Sequence, residues 1–109
     1  MIIEYKTPAA EANHIPYEVS GKKVIFDDDL SINLSKREKD DPVHIDVCFD
    51  EDGELCIGAA AGWAYVAEID IPAREYEYPE VEEGEEPEPP TPVPLDMNKV
   101  KLTLWEVQE

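Results

Sequence analysis

The side chains with the greatest chemical potential in this chain are Cys48, Cys56, His14, His44 and a large surplus of carboxylates. Two thiols eight residues apart, with a histidine near one of them, suggest half a zinc site or a disulfide. A structural zinc needs four donors, and no second cysteine pair follows, so the spacing favours free thiols on a sheet face. Residues 48–59, CFDEDGELCIGA, place a glycine sixth in an acidic stretch, as a calcium loop does. The first and twelfth ligand positions would then be Cys48 and Ala59, neither of which supplies an oxygen side chain. A tight turn between two strands accounts for the stretch better, and the run Asp27, Asp28, Asp29 reads the same way. No metal and no cofactor are expected.

Nucleophilic catalysis needs a base within hydrogen-bond reach of the nucleophile. His44 and Cys48 are four residues apart, and at strand rise that is about 13 Å, too far for such a pair. The chain contains no G-x-S-x-G, no H-E-x-x-H, no phosphate-binding loop and no dinucleotide fingerprint. Glutamates are so frequent that close carboxylate pairs arise by chance and carry no glycosidase signal. The expectation is a protein that is not an enzyme.

Charge is the strongest signal. Among 109 residues, 27 are acidic and 9 basic, a formal charge of −18. Residues 75–96 hold nine of those negative charges and no base, which leaves −9 on the other 87 residues, so the acidity is global. Such a field repels nucleic acid and anionic membrane and steers the chain toward basic protein surfaces. The longest largely apolar run, residues 56–67, falls short of the roughly 20 residues that cross a bilayer, and the first residues lack the pattern of a secretory signal. A cytoplasmic protein is expected.

These groups must be positioned by strands, because apolar residues alternate with period two and no long segment keeps helical spacing. The expected class is all-β, a small antiparallel sandwich or open barrel of six to eight strands in a single domain over 1–109. MIIEYK is the first strand. IPYEVSGKKVIFD reads as a hairpin around Ser20-Gly21, with Tyr17 opposite Val24 and Ile15 opposite Phe26. LSINLS continues it. VHIDVCFDEDGELCIG is the clearest hairpin: a loop at Glu51, Asp52 and Gly53 aligns Phe49 with Leu55, Val47 with Ile57 and Cys48 with Cys56. In GWAYVAEIDIP, alternation puts Trp63, Tyr65, Ile69 and Ile71 on one face and Glu68 and Asp70 on the other. The strand KVKLTLWEV is expected to pair with that one, leaving residues 79–94 as a flexible, disordered, acidic, proline-rich insertion.

Alternation therefore sends Asp46, Asp50, Glu54, Glu68 and Asp70 to the side away from the core, with Glu75 and Glu77 extending the set. A fixed carboxylate array of this kind could occupy a cationic groove built for phosphates, which gains affinity by charge neutralisation and counterion release. The simpler reading is the solvated face of an antiparallel sheet. A third reading, a calcium-stabilised binding module, rests on the acidic turn alone.

The carboxy-terminal half, with AEIDIPARE, an acidic proline-rich interval and PLDMNKVKLTLW, resembles small acidic proteins carried by bacterial prophages. No residue role is carried over. The resemblance implies a phage context, in which either an inhibitor of a nucleic-acid-binding defence protein, of anti-CRISPR or anti-restriction type, or a virion or assembly component would fit.

Overall fold

The computed structural model describes residues 1–86 and 88–107. It is all-β, with ten strands among the described residues: β1 (Ile2–Tyr5), β2 (Tyr17–Ser20), β3 (Lys23–Phe26), β4 (Leu30–Asn33), β5 (Val43–Phe49), β6 (Leu55–Ile57), β7 (Ala64–Ile71), β8 (Tyr76–Glu77), β9 (Thr91–Pro92) and β10 (Lys101–Leu104). Two short 3-10 turns, Pro8–Glu11 and Met97–Lys99, punctuate them. The strands form a five-stranded sheet in the order β1-β10-β7-β5-β6, a three-stranded sheet β2-β3-β4 and the two-residue pair β8-β9, and none closes into a barrel. The count exceeds the expected six to eight because β8 and β9 are only two residues each. Nor is the pairing wholly antiparallel, since β1 lies parallel to β10. Among the described residues no helix is long and apolar enough to cross a membrane.

One apolar core joins the two larger sheets. Val24 and Phe26 of β3, Ile32 of β4, Ile45 and Val47 of β5, Ile69 and Ile71 of β7 and Leu102 and Leu104 of β10 are all buried in the same cluster. Burying each such side chain is worth about 1.5–3 kcal/mol, so the inward faces of β5, β7 and β10 hold the large sheet in place.

Local turn chemistry sets the hairpin registers. The β5-β6 hairpin has the expected pairs, Val47 with Ile57, Cys48 with Cys56 and Phe49 with Leu55. Gly53, at φ +79°, occupies the left-handed position that a three-residue loop requires, and its N–H donates to the Asp50 carbonyl at 3.0 Å. The β2-β3 hairpin departs from expectation. Tyr17 faces Phe26 and Ser20 faces Lys23, so the loop is Gly21-Lys22 rather than Ser20-Gly21. With φ +59°, Gly21 takes the first loop position, where a positive φ is wanted. The shift is two residues, so side-chain parity survives and Val24 and Phe26 still point inward. Asp27 and Asp28 both adopt left-handed backbone between β3 and β4, a conformation that aspartate tolerates better than most residues.

A second departure lies in β7. Val47 faces Ala67 but Cys48 faces Tyr65, so Val66 is an extra residue with no partner on β5. This bulge resets the alternation. Tyr65, expected beside Ile69 and Ile71, stands instead on the opposite face with Glu68. The carbonyl of Val66 accepts the Trp105 N–H at 3.0 Å, which ties the end of β10 to the bulge.

Within the acidic interval, the Tyr76–Glu77 and Thr91–Pro92 segments pair, and the Val93 N–H donates to the Glu75 carbonyl at 2.8 Å. Leu95 is buried in the core. The described residues between 78 and 90 are exposed except for the half-buried Pro79.

Candidate functional site

The outward face of the five-stranded sheet is built by register. On β5, His44, Asp46 and Cys48 project from it; on β7, Asp70, Glu68 and Tyr65 do. Antiparallel pairing sets His44 beside Asp70 and Asp46 beside Glu68. Directly opposed residues stand about 5 Å apart, so four ionisable groups meet in one patch.

His44 occupies its centre. Its Nδ1 lies 2.6 Å from Asp70 Oδ1, and its Nε2 lies 2.8 Å from Asp46 Oδ1 and 3.4 Å from Glu68 Oε1. Two nitrogens facing three carboxylates favour the doubly protonated ring. The pKa of His44 is accordingly raised above 6.5, chiefly by the hydrogen bond to Asp70 and then by that to Asp46, with partial burial working against them. Glu68 is held from its other oxygen: the Trp105 indole N–H donates to Oε2 at 2.9 Å, and that indole stacks on Tyr65 with ring centroids 4.7 Å apart. Lys6 Nζ lies over the Trp105 ring, 5.1 Å from its centroid.

The two cysteines share this face. Cys48 is buried and Cys56 half-buried, and both are free thiols. Burial raises the pKa of each, helped by the charges of Asp46 and Glu68 at Cys48 and by Asp50 at Cys56. Both are thereby kept as thiols rather than as the thiolates that nucleophilic chemistry requires.

The expected partner-binding residues separate into three groups. Asp46, Glu68 and Asp70 come together around His44. Asp50 and Glu54 belong to the β5-β6 turn, and the Asp50 carboxylate is turned into that loop, accepting the N–H of Asp52 at 2.8 Å and of Glu54 at 3.0 Å. Those bonds, with Glu54 the foremost, lower the pKa of Asp50, so its carboxylate serves the hairpin. Glu75 and Glu77 lie beyond β7, at the base of the β8-β9 pair, where Glu75 holds Lys99 at 2.6 Å. They are not part of the array.

Cations border the patch on both sides. Lys101 sits opposite Asp70 on β10 and pairs with Glu4 at 3.1 Å. Lys36, Arg37 and Lys39 line an open cleft with His44 and Asp46. From the sequence, His44 is a candidate partner for cysteine alone, and its central place among the carboxylates is not apparent there. The signal was present as H-x-D in one strand and E-x-D in another, but it becomes legible only when those two strands are neighbours. Comparison with known proteins finds no matching family, no matching characterised protein and no matching solved structure.

Proposed function

We propose that this chain is a non-enzymatic interaction protein whose outward sheet face docks into a basic groove of a nucleic-acid-binding protein. The phage context expected from the sequence makes an inhibitor of a defence protein, of anti-CRISPR or anti-restriction type, the role of choice. The single observation that carries this reading is the grouping of Asp46, Glu68 and Asp70 on two adjacent strands inside a five-stranded sheet. Two residues along a strand span about 7 Å and neighbouring strands about 5 Å, so these charges are held on a fixed grid. The two larger sheets, read as a small sandwich about their common core, keep that grid from flexing. A charged ligand that is already ordered loses less entropy on binding than a flexible acidic tail does.

The array is smaller than the charge of the whole chain suggests, because Asp50 is turned into its own loop, Glu75 and Glu77 lie at the β8-β9 pair, and His44 pairs with all three carboxylates of the array. Recognition on this reading concentrates on β5 and β7, with the long-range field of the remaining acids accelerating encounter. The test is capture from bacterial lysate on the immobilised chain at low and at high salt, comparing wild type with Glu68→Lys/Asp70→Lys and with deletion of residues 80–92. Nucleic-acid-binding proteins should be enriched at low salt and lost at high salt, and charge reversal should remove more of them than the deletion does. Capture that ignores both salt and charge reversal refutes the reading.

A second reading, a virion or assembly component, is favoured by apolar side chains on sheet edges. Ile2 on β1, Val19 on β2 and Ile57 on β6 are 49%, 42% and 37% exposed, each on an outermost strand. Light scattering during size-exclusion chromatography separates the two: concentration-dependent oligomers favour assembly, and a monomer favours the inhibitor.

A further inference from the structure

Three donors on the outward sheet face come from two strands and from two chemical classes. His44 Nε2, Asp46 Oδ1 and Glu68 Oε1 all lie within 4.8 Å of one another. We propose that these three atoms form a binding site for a single divalent transition-metal cation of the zinc class, which draws on the same Asp46 and Glu68 carboxylates as the interaction described above and is tested without any protein partner.

Spacing is the first argument. Donors at 2.0–2.2 Å from a tetrahedral ion stand roughly 3.3–3.6 Å from each other. Nε2 is 3.4 Å from Glu68 Oε1 and 2.8 Å from Asp46 Oδ1, so a cation would be seated by shifts of well under a strand spacing. The backbone need not move, because the register that opposes Asp46 to Glu68 already places the groups.

The surroundings of the donors make the stronger argument. A metal-bound imidazole characteristically gives its other N–H to a carboxylate, which fixes the ring and its tautomer. Here Asp70 Oδ1 lies 2.6 Å from Nδ1, leaving Nε2 to face the other two donors. A cation takes the place of the Nε2 proton while the bond from Nδ1–H to Asp70 is retained. Glu68 is oriented from outside in the same manner. Trp105 Nε1 donates to Oε2 at 2.9 Å, which leaves Oε1 turned toward His44, and Trp105 is itself held by its stack on Tyr65. Two of the three ligands thus have an outer partner that aims them.

The donor set selects among cations. One imidazole nitrogen with two carboxylates suits Zn²⁺, Co²⁺ or Mn²⁺, whereas Ca²⁺ and Mg²⁺ take oxygen ligands. Asp46 and Glu68 balance the 2+ charge. The imidazole is nearly half exposed, so a fourth position opens to solvent and would hold water.

Chelator-stripped, full-length protein titrated with ZnCl₂ by calorimetry and with CoCl₂ by visible absorption tests the site. The expected result is one equivalent of either metal. His44→Gln and Glu68→Gln should each weaken binding about 10-fold or more, and Asp70→Asn, a positioning residue, about 10-fold with an altered Co²⁺ spectrum. Glu54→Gln, which removes a charge from the β5-β6 turn without touching the donors, should leave the affinity unchanged, and so should Cys56→Ser. Circular dichroism on each variant shows that the fold is retained. The proposal is overturned by the absence of stoichiometric binding at millimolar metal, by equal affinity in wild type and His44→Gln, which would mark diffuse attraction to an acidic surface, or by loss of binding in Cys56→Ser, which would place the metal on the thiols.

Discussion

The two faces of β7 offer a sharp test of the architecture, because adjacent residues on it should answer oppositely to substitution. Ile69 is fully buried in the core between β5 and β10, while Asp70, next in sequence, is nearly half exposed beside His44. Truncating Ile69 to alanine removes buried methyl and methylene groups and leaves a cavity that the surrounding strands fill only in part, a loss of about 2–5 kcal/mol. A central value of about 3 kcal/mol lowers the folded-to-unfolded ratio roughly 100-fold and is a large share of the stability of a domain this size. Asp70→Asn keeps the side-chain volume and removes one partner of an exposed pair, a change of about 0.2–1 kcal/mol. Urea denaturation followed by far-ultraviolet circular dichroism measures both. The expected outcome is a much lower midpoint for Ile69→Ala, a near-native midpoint for Asp70→Asn and slopes that match wild type. Comparable losses in the two variants, or a larger loss at Asp70, would mean that β7 is displaced by one residue and that the carboxylates do not share a face.

Two further outcomes follow from the site and the turns. In metal-free protein the folded-state pKa of His44 is raised above its unfolded value of 6.5, so its stabilisation is fully present below that value and is lost as pH rises through the folded one. Urea midpoints should therefore fall across that window more steeply in wild type than in His44→Gln, and a proton NMR titration that places His44 at or below 6.5 would contradict the geometry. Gly53→Ala should cost about 1–2 kcal/mol, since φ +79° is strained for any residue with a Cβ although nothing lies within 4 Å to clash with it. Gly53→Asn should cost less, and equal losses in the two variants would show that contact rather than backbone strain governs the position.

The sequence alone determined the features that depend on neighbouring residues. Period-two alternation identified the β5 and β6 faces, and the Glu51-Asp52-Gly53 loop aligned Cys48 with Cys56, because a tight turn leaves a short hairpin a single register. The outward placement of Asp46, Glu68 and Asp70 was legible for the same reason. Where two turn solutions were close, as at Ser20-Gly21-Lys22, the loop settled by one position and the register moved by two, a choice made by backbone conformation at Gly21.

Only the tertiary structure decided which strands became neighbours. Residues 43–49 lie against 64–71, and β1 lies parallel to β10 almost a full chain length away, pairings that reflect burial of a common core rather than any local signal. The Val66 bulge is also a product of that packing: it turned Tyr65 onto the acidic face, where Tyr65 supports Trp105 and Trp105 supports Glu68. His44 stands among three carboxylates because one of them follows it by two residues on its own strand and the other two arrive from a distant segment. Alternation specifies the side of a strand on which a residue stands. The opposing residue depends on long-range closure of the chain, and that is set by the core.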